Sequence, residues 1–214
     1  MADSPLDQSK EKDRKTLNED LLSAAGRGET QRVLDLLKQG AELNVQDAQG
    51  RTPVMMATYA HQTETVEALI RAGADINIRD NNLDNPLLYA SARGLLDIVR
   101  LALDAKADTR LTNRYGGVSV IPASHRGHVE IVRELLTRSD VQVNHINNLG
   151  WTALLEAIIL GDGKLAHQQI VQLLVDHGAD VQIADKDGVT PLQHARNREY
   201  VEMEYILLKA GASA

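Results

Sequence analysis

Two short segments of this 214-residue chain combine residue types that could do chemistry. His125 and His128 stand three positions apart, a spacing that on a helix brings two imidazoles close enough to share a metal ion. Gly127 between them predicts a break in that helix, and the chain has no cysteine that could add a thiolate ligand. A zinc site, and with it a metal-dependent enzyme, is therefore the least favoured hypothesis.

The segment Gly161-Asp-Gly-Lys164 resembles a phosphate-binding loop only superficially. It lacks the glycine spacing of a P-loop and the Ser or Thr that follows its lysine. No Ser/His/Asp set recurs or converges elsewhere in the chain. We interpret the segment as a longer loop between helices, and we expect a protein that is not an enzyme and has no catalytic residue, metal or cofactor.

Composition and charge narrow the class of protein further. The net charge of −7 disfavours wholesale binding of nucleic acid or of an anionic membrane, and no apolar stretch is long enough to span a bilayer. The first fifteen residues, MADSPLDQSKEKDRK, lack the apolar run of a secretory signal, so we expect a cytoplasmic protein. Phenylalanine is absent and tryptophan occurs once, which favours many small buried contacts over one deep core.

An internal repeat organises the chain. A turn that begins with Asp or Asn recurs at intervals of 33, 33, 34 and 38 residues, and an alanine follows ten positions after each start. We predict a disordered charged tail over residues 1–13 and then about six units. Their approximate bounds are 14–46, 47–79, 80–112, 113–146, 147–184 and 185–214.

Each unit has the pattern of two short helices. Thr52-Pro53 and Thr190-Pro191 are typical of a helix N-cap followed by proline in the first turn. Apolar residues at helical spacing predict the second helix, which a glycine such as Gly73 or Gly178 ends. No unit can bury its apolar face alone, so we expect neighbouring units to stack.

The repeated motifs closely resemble the ankyrin repeat family. The resemblance is carried by Asp47-x-x-Gly50-x-Thr52-Pro53 with Ala57, and by Arg126-Gly127-His128-x-x-Ile131-Val132-x-x-Leu135-Leu136. It covers residues 14–214 and implies an all-α solenoid of stacked helix-turn-helix units joined by β-hairpin-like turns. It also implies a scaffold that binds another protein. The segment 151–163 is similar to stand-alone bacterial ankyrin repeat proteins.

The fourth, fifth and sixth units depart most from the pattern. The fourth has Val118-Ser119 where Thr-Pro would stand, and Pro122 inside its first helix. The fifth has five extra residues within 161–169. The sixth has Arg198-Glu199-Tyr200 in place of the glycine-histidine break. Function often lies where a repeat pattern breaks, so residues 113–214 are the irregular part of greatest interest.

The resemblance also implies where a partner binds. In the ankyrin repeat family, the tips of the turns and the exposed ends of the first helices line a concave groove that contacts the partner. Carried over to this chain, these positions include the following candidate partner-binding residues: Arg51, Tyr59, Arg79, Arg93, Arg114, Tyr115, His125, Arg126, Trp151, Leu160, Lys186 and Arg198.

Basic and aromatic side chains dominate this set. The wider group of such positions adds Arg27, Asp84 and Asp187 among its charged members, so it holds eight basic and two acidic residues. Arg, Tyr and Trp are enriched at binding hot spots. We therefore expect a monomer that binds an acidic protein segment or the edge of an acidic protein. Two alternatives stay open: binding of nucleic acid or another polyanion along the same stripe, and plain solvation of a polar face.

Overall fold

The structure is a computed structural model that describes residues 5–213. These residues form twelve helices and no β-strand. In chain order the helices are α1 Pro5–Arg27, α2 Thr30–Lys38, α3 Pro53–Tyr59, α4 Thr63–Arg71, α5 Pro86–Arg93, α6 Leu96–Asp104, α7 Val120–His125, α8 Val129–Arg138, α9 Ala153–Ile159, α10 Leu165–Asp176, α11 Pro191–Asn197 and α12 Val201–Lys209.

The chain divides into two compact units, Met1–Pro86 and Leu87–Ala214, which are called the first unit and the second unit. The six shorter units predicted from the sequence are called repeats. In the first unit, α3 packs on α1 and α4 packs on α2, so two helix pairs stack side by side. In the second unit, α7, α9 and α11 form one row of helices, and α6, α8, α10 and α12 form another. The predicted all-α architecture of helix-turn-helix units is confirmed.

Alanines make the close stacking of the helices possible. The four alanines that stand ten residues after a turn in the second unit have no exposed surface: Ala90, Ala123, Ala157 and Ala195. Larger aliphatic side chains such as Leu154, Ile158 and Leu174 are also fully buried. The core is therefore a long series of small contacts, as the composition predicts.

The predicted helix caps are present. The Thr52 hydroxyl accepts a hydrogen bond from the backbone N–H of Met55, with Pro53 in the first turn. Thr190 and Gln193 form a reciprocal capping box at the start of α11. Gly178 ends α10 with φ +87°, in the left-handed region that favours glycine.

The N-terminus differs from the expectation of a disordered tail over residues 1–13. Residues 1–4 lie outside the described residues, and Pro5 begins α1, which continues to Arg27. The reason is local: Pro5 suits a first helical turn, and no glycine or further proline interrupts the stretch up to Ala25.

The irregularities of the fourth and fifth repeats change the helices and loops only where they occur. Helix α7 has only six residues, and Pro122 is its third, where a missing N–H removes no hydrogen bond within the helix. The extra residues of the fifth repeat form the loop 160–164 and lengthen α10 to twelve residues. His167 ties this loop down, because its Nδ1 lies 2.9 Å from Asp162 Oδ1.

Candidate functional site

The turns of the second unit share one hydrogen-bond pattern. Asn113 Oδ1 accepts the backbone N–H groups of Tyr115 at 2.9 Å and Gly117 at 3.0 Å. Asn147 Oδ1 accepts those of Leu149 and Trp151 in the same way. Because the first residue of each turn satisfies the donors inside the turn, the side chains at its tip are directed outward.

Successive turns of this unit are bonded to one another. The Asn148 N–H donates to the Tyr115 carbonyl at 3.0 Å, and His145 Nε2 donates to the Gly116 carbonyl at 2.7 Å. Lys186 Nζ donates to the Asn148 carbonyl at 2.6 Å. The turn tips of Arg114, Asn148 and Lys186 therefore follow one another in a row of hydrogen-bonded turns.

The first turn tip in this row combines a cation with an aromatic ring. The Arg114 guanidinium lies 4.9 Å from the centroid of the Tyr115 ring and donates to its hydroxyl at 2.9 Å. Tyr115 is 56% exposed, and Leu149 on the neighbouring turn is 51% exposed. Trp151 is half-buried. An exposed cation–aromatic pair beside exposed aliphatic surface can contact an acidic and partly apolar ligand.

Further candidate residues of the second unit lie where the first helix of a repeat ends. His125 ends α7, and Leu160, which is 42% exposed, follows α9. His167 Nε2 donates to the His125 carbonyl at 3.0 Å, so α10 holds the end of α7. Arg126 is exposed and forms no ion pair within the described residues.

Two further predicted cations have intramolecular partners. Arg198 is half-buried, and its guanidinium donates to His194 Nδ1 at 3.2 Å and to the Ile159 carbonyl at 3.4 Å. Arg93 is exposed, with its guanidinium 5.4 Å from the centroid of the Tyr89 ring. Arg198 therefore supports the neighbouring loop, whereas Arg93 presents its charge on the surface.

A buried carboxyl lies behind this surface. Glu156 on α9 is only 7% exposed; its Oε1 accepts from Asn147 Nδ2 at 2.7 Å, and its Oε2 lies 3.7 Å from His125 Nδ1. Burial raises the pKa of Glu156 to about 7, although the Asn147 amide opposes the shift. Burial, together with the charge of Arg126, lowers the pKa of His125.

Sequence reasoning missed Glu156, and one signal could have revealed it. Asn147 and Glu156 are nine residues apart, and Asp185 and His194 have the same spacing in the next repeat. His194 Nε2 lies 2.7 Å from Asp185 Oδ2. In these two repeats, the polar residue nine positions after the start of the turn therefore contacts the first residue of that turn.

Three of the candidate partner-binding residues, Arg51, Tyr59 and Arg79, belong to the first unit. Arg51 forms a 2.6 Å ion pair with Asp47 inside its own turn. The Tyr59 hydroxyl donates to Asp80 Oδ2 at 2.6 Å, and burial together with that hydrogen bond raises the pKa of Tyr59. Arg79 is exposed.

Among the side chains of residues 13–213, no group of three or more His, Asp or Glu residues is arranged to hold a metal ion. The helices in that range include none that is long and apolar enough to cross a membrane.

Comparisons with known proteins identify the family. The family model for ankyrin repeats in three copies matches residues 21–113 and again residues 120–214. The chain therefore belongs to the ankyrin repeat family, whose repeats generally mediate protein–protein interaction.

Solved structures of bacterial ankyrin repeat proteins have the same fold. The ankyrin repeat domain ABAYE2397 from Acinetobacter baumannii AYE is 53% identical, with a TM-score of 0.88 over 90% of this chain and 98% of that domain. The ankyrin repeat protein EF0377 is 36% identical, with a TM-score of 0.85 and the same shares covered.

Two curated proteins match shorter stretches. A putative ankyrin repeat protein of Escherichia coli K12, YahD, is 51% identical over 79 residues, which are 37% of this chain and 39% of that protein. The human BCL-6 corepressor-like protein 1 is 35% identical over 77 residues, or 36% of this chain and 4% of that protein. The match thus spans less than half the length of either curated relative.

Proposed function

We propose that this protein binds an acidic segment or acidic edge of another protein through a basic and aromatic surface of its second unit. The binding surface, as we define it, comprises these residues: Arg93, Arg114, Tyr115, His125, Arg126, Trp151, Leu160, Lys186 and Arg198. Its main support is the Arg114–Tyr115 pair, with the Tyr115 ring 56% exposed at a turn tip that is bonded to the next turn.

The charges of the surface favour an acidic partner. Arg114, Arg126 and Lys186 are exposed cations, although the protein as a whole carries a net charge of −7. A local positive patch on an acidic protein steers acidic partners toward that patch and repels them elsewhere. Arg79 would extend the set, whereas the ion pair of Arg51 and the hydrogen bond of Tyr59 favour a role in bracing their own turns.

We also propose that the protein acts without catalysis, cofactor or membrane attachment in the cytoplasm of a bacterium. Its similarity to bacterial ankyrin repeat proteins supports this assignment. Cell fractionation with an antibody against the chain tests the compartment.

A charge-reversal variant tests the binding surface. We expect Arg114→Glu combined with Arg126→Glu to abolish capture of short acidic peptides selected on the wild-type protein from a display library, because both cations become repulsive. Helicity and the melting temperature should change little, since both side chains are exposed.

The matched control is Lys106→Glu combined with Arg133→Glu, which changes the net charge equally at two exposed positions outside the binding surface. That variant should retain the peptides. Retention by the Arg114/Arg126 variant would show that the assigned surface is wrong, and equal loss in both variants would reduce the effect to overall charge. Stronger binding of a nucleic acid than of the peptides, with a steep salt dependence, would favour the polyanion alternative.

A further inference from the structure

Helix α12 carries an exposed apolar face that no other described helix covers. Val201 is 73% exposed, Tyr205 is 60% exposed and Leu208 is 45% exposed. They are spaced by four and three residues along one helix, so their side chains lie on the same side of it. This set of three residues is called the α12 face below.

The α12 face resembles an internal stacking surface with an aromatic ring added. On α8, against which α10 packs, the positions that correspond to Val201 and Leu208 are Val129 and Leu136, and both are half-buried. The position that corresponds to Tyr205 is the exposed Arg133. Exposed apolar side chains gathered on one side of a helix are suited to a partner helix rather than to water.

The charges at the two ends of α12 indicate which partner fits. Glu202 lies exposed in the first turn and Lys209 lies exposed at the last residue, and within the described residues neither forms an ion pair. When two copies of α12 lie antiparallel, centred on Tyr205, each Val201 meets the Leu208 of the other copy. The same arrangement places each Glu202 opposite a Lys209, so the face is complementary to itself in shape and in charge.

We propose that the α12 face is a homodimer interface in which two copies of this chain pair their α12 helices antiparallel about a two-fold axis. None of the residues of the proposed binding surface lies on α12, so this pairing is independent of the proposed function. It replaces the sequence-based expectation of a monomer.

The size of the face predicts a weak dimer. Stable interfaces bury about 1,200–2,000 Å² in total, and one pair of nine-residue helices lies at or below the lower end of that range. A closed two-fold pair with so small an interface should dissociate in the micromolar range, about 10–100 µM.

Sedimentation velocity on the full chain across that concentration range tests the proposal. We expect the wild-type mass to rise with concentration from 23.4 kDa toward twice that value. Tyr205→Arg should weaken the association at least about tenfold, because it places two guanidinium groups together at the centre of the pair. Leu149→Arg is the matched control, since Leu149 is similarly exposed at a turn tip, and it should associate as the wild type does.

Charge swaps test the antiparallel orientation. Glu202→Lys alone and Lys209→Glu alone should each weaken the dimer, because like charges then face one another. The two changes in one chain should restore it, since each lysine again meets a glutamate. Circular dichroism confirms that each variant is folded. A chain that stays monomeric at every concentration, a Tyr205→Arg protein that dimerises normally, or a double swap without rescue would each overturn the proposal.

Discussion

At the scale of single residues, Glu156 links the proposed binding surface to the core. Its carboxyl accepts a hydrogen bond from the Asn147 amide and faces the imidazole of His125. The amide oxygen of Asn147 in turn accepts the backbone N–H groups of Leu149 and Trp151. A protonated carboxyl suits this buried position better than a carboxylate does, which is why the pKa of Glu156 is raised to about 7. We therefore expect protonation of Glu156 to be coupled to the hydrogen bonds of the turn that begins at Asn147.

The raised pKa of Glu156 predicts a pH dependence of stability with a definite sign. Between pH 4.5 and about 7 the native state holds a proton that the unfolded state releases, so this stabilisation is complete below pH 4.5 and is lost as the pH rises through 7. Glu156→Gln keeps an acceptor for Asn147 and removes the titration. We expect the free energy of unfolding of the variant, relative to wild type, to rise by about 1–3 kcal/mol from pH 4.5 to 8.

Urea unfolding at a series of pH values measures this difference. His125→Gln is the control that separates the two groups, because burial lowers the pKa of His125 and so also makes stability depend on pH. Parallel stability curves for wild type and Glu156→Gln across the whole range would contradict the assignment.

At the scale of secondary-structure elements, a left-handed residue follows the second helix of every repeat except the fourth, where α8 ends at the extended Ser139. Gly178 has this conformation after α10 with φ +87°, whereas the equivalent residue after α6 is Lys106 with φ +60°. A side chain costs free energy in this region because its Cβ approaches the following carbonyl oxygen. The chain therefore retains local strain at Lys106 that glycine relieves elsewhere.

Opposite substitutions at these two helix ends should have opposite effects. Nothing lies within 4 Å of a Cβ built on Gly178, so Gly178→Ala should lower stability by about 1 kcal/mol through backbone strain alone. Lys106→Gly should raise it by about 0.5 kcal/mol, since relieved strain exceeds the added entropy of the unfolded chain. Thermal melts of the two variants, read against wild type, test the pair; a gain from Gly178→Ala would show that the backbone there tolerates a side chain.

At the scale of the whole molecule, stability comes from contacts between neighbouring helix pairs. In the second unit α9 packs on both α7 and α11, and Ala157 at the centre of α9 has no exposed surface. Each pair depends on its neighbours for burial of its apolar face, so a local defect should weaken the nearest pairs most.

Overpacking of α9 tests this nearest-neighbour behaviour. Ala157→Leu should cost about 1–3 kcal/mol, because the added methyl groups have no space between α7 and α11. Hydrogen exchange should become faster chiefly in α7 to α11 and least in α6, which lies farther along the second unit. Uniformly faster exchange throughout residues 87–213 would indicate a single cooperative core instead.

Much of the fold could be predicted from the sequence, whereas less of the site could. Thr52 and Thr190 cap helices as predicted, because capping depends on neighbours only three residues away. The availability of each candidate cation could not be predicted. Arg51 and Arg126 are both predicted to contact a partner, yet Arg51 forms an ion pair with Asp47, whereas Arg126 is exposed without an ion pair in the described part of the chain.

The family, the period of the repeats and most helix positions follow from the sequence alone, as do the glycines that end several helices, because backbone preferences and apolar spacing act over a few residues. The burial of Glu156 beside His125 and the exposure of Val201, Tyr205 and Leu208 emerge only from the three-dimensional packing of the helices. Burial depends on which helices meet across the stack, and residues far apart in sequence set those contacts.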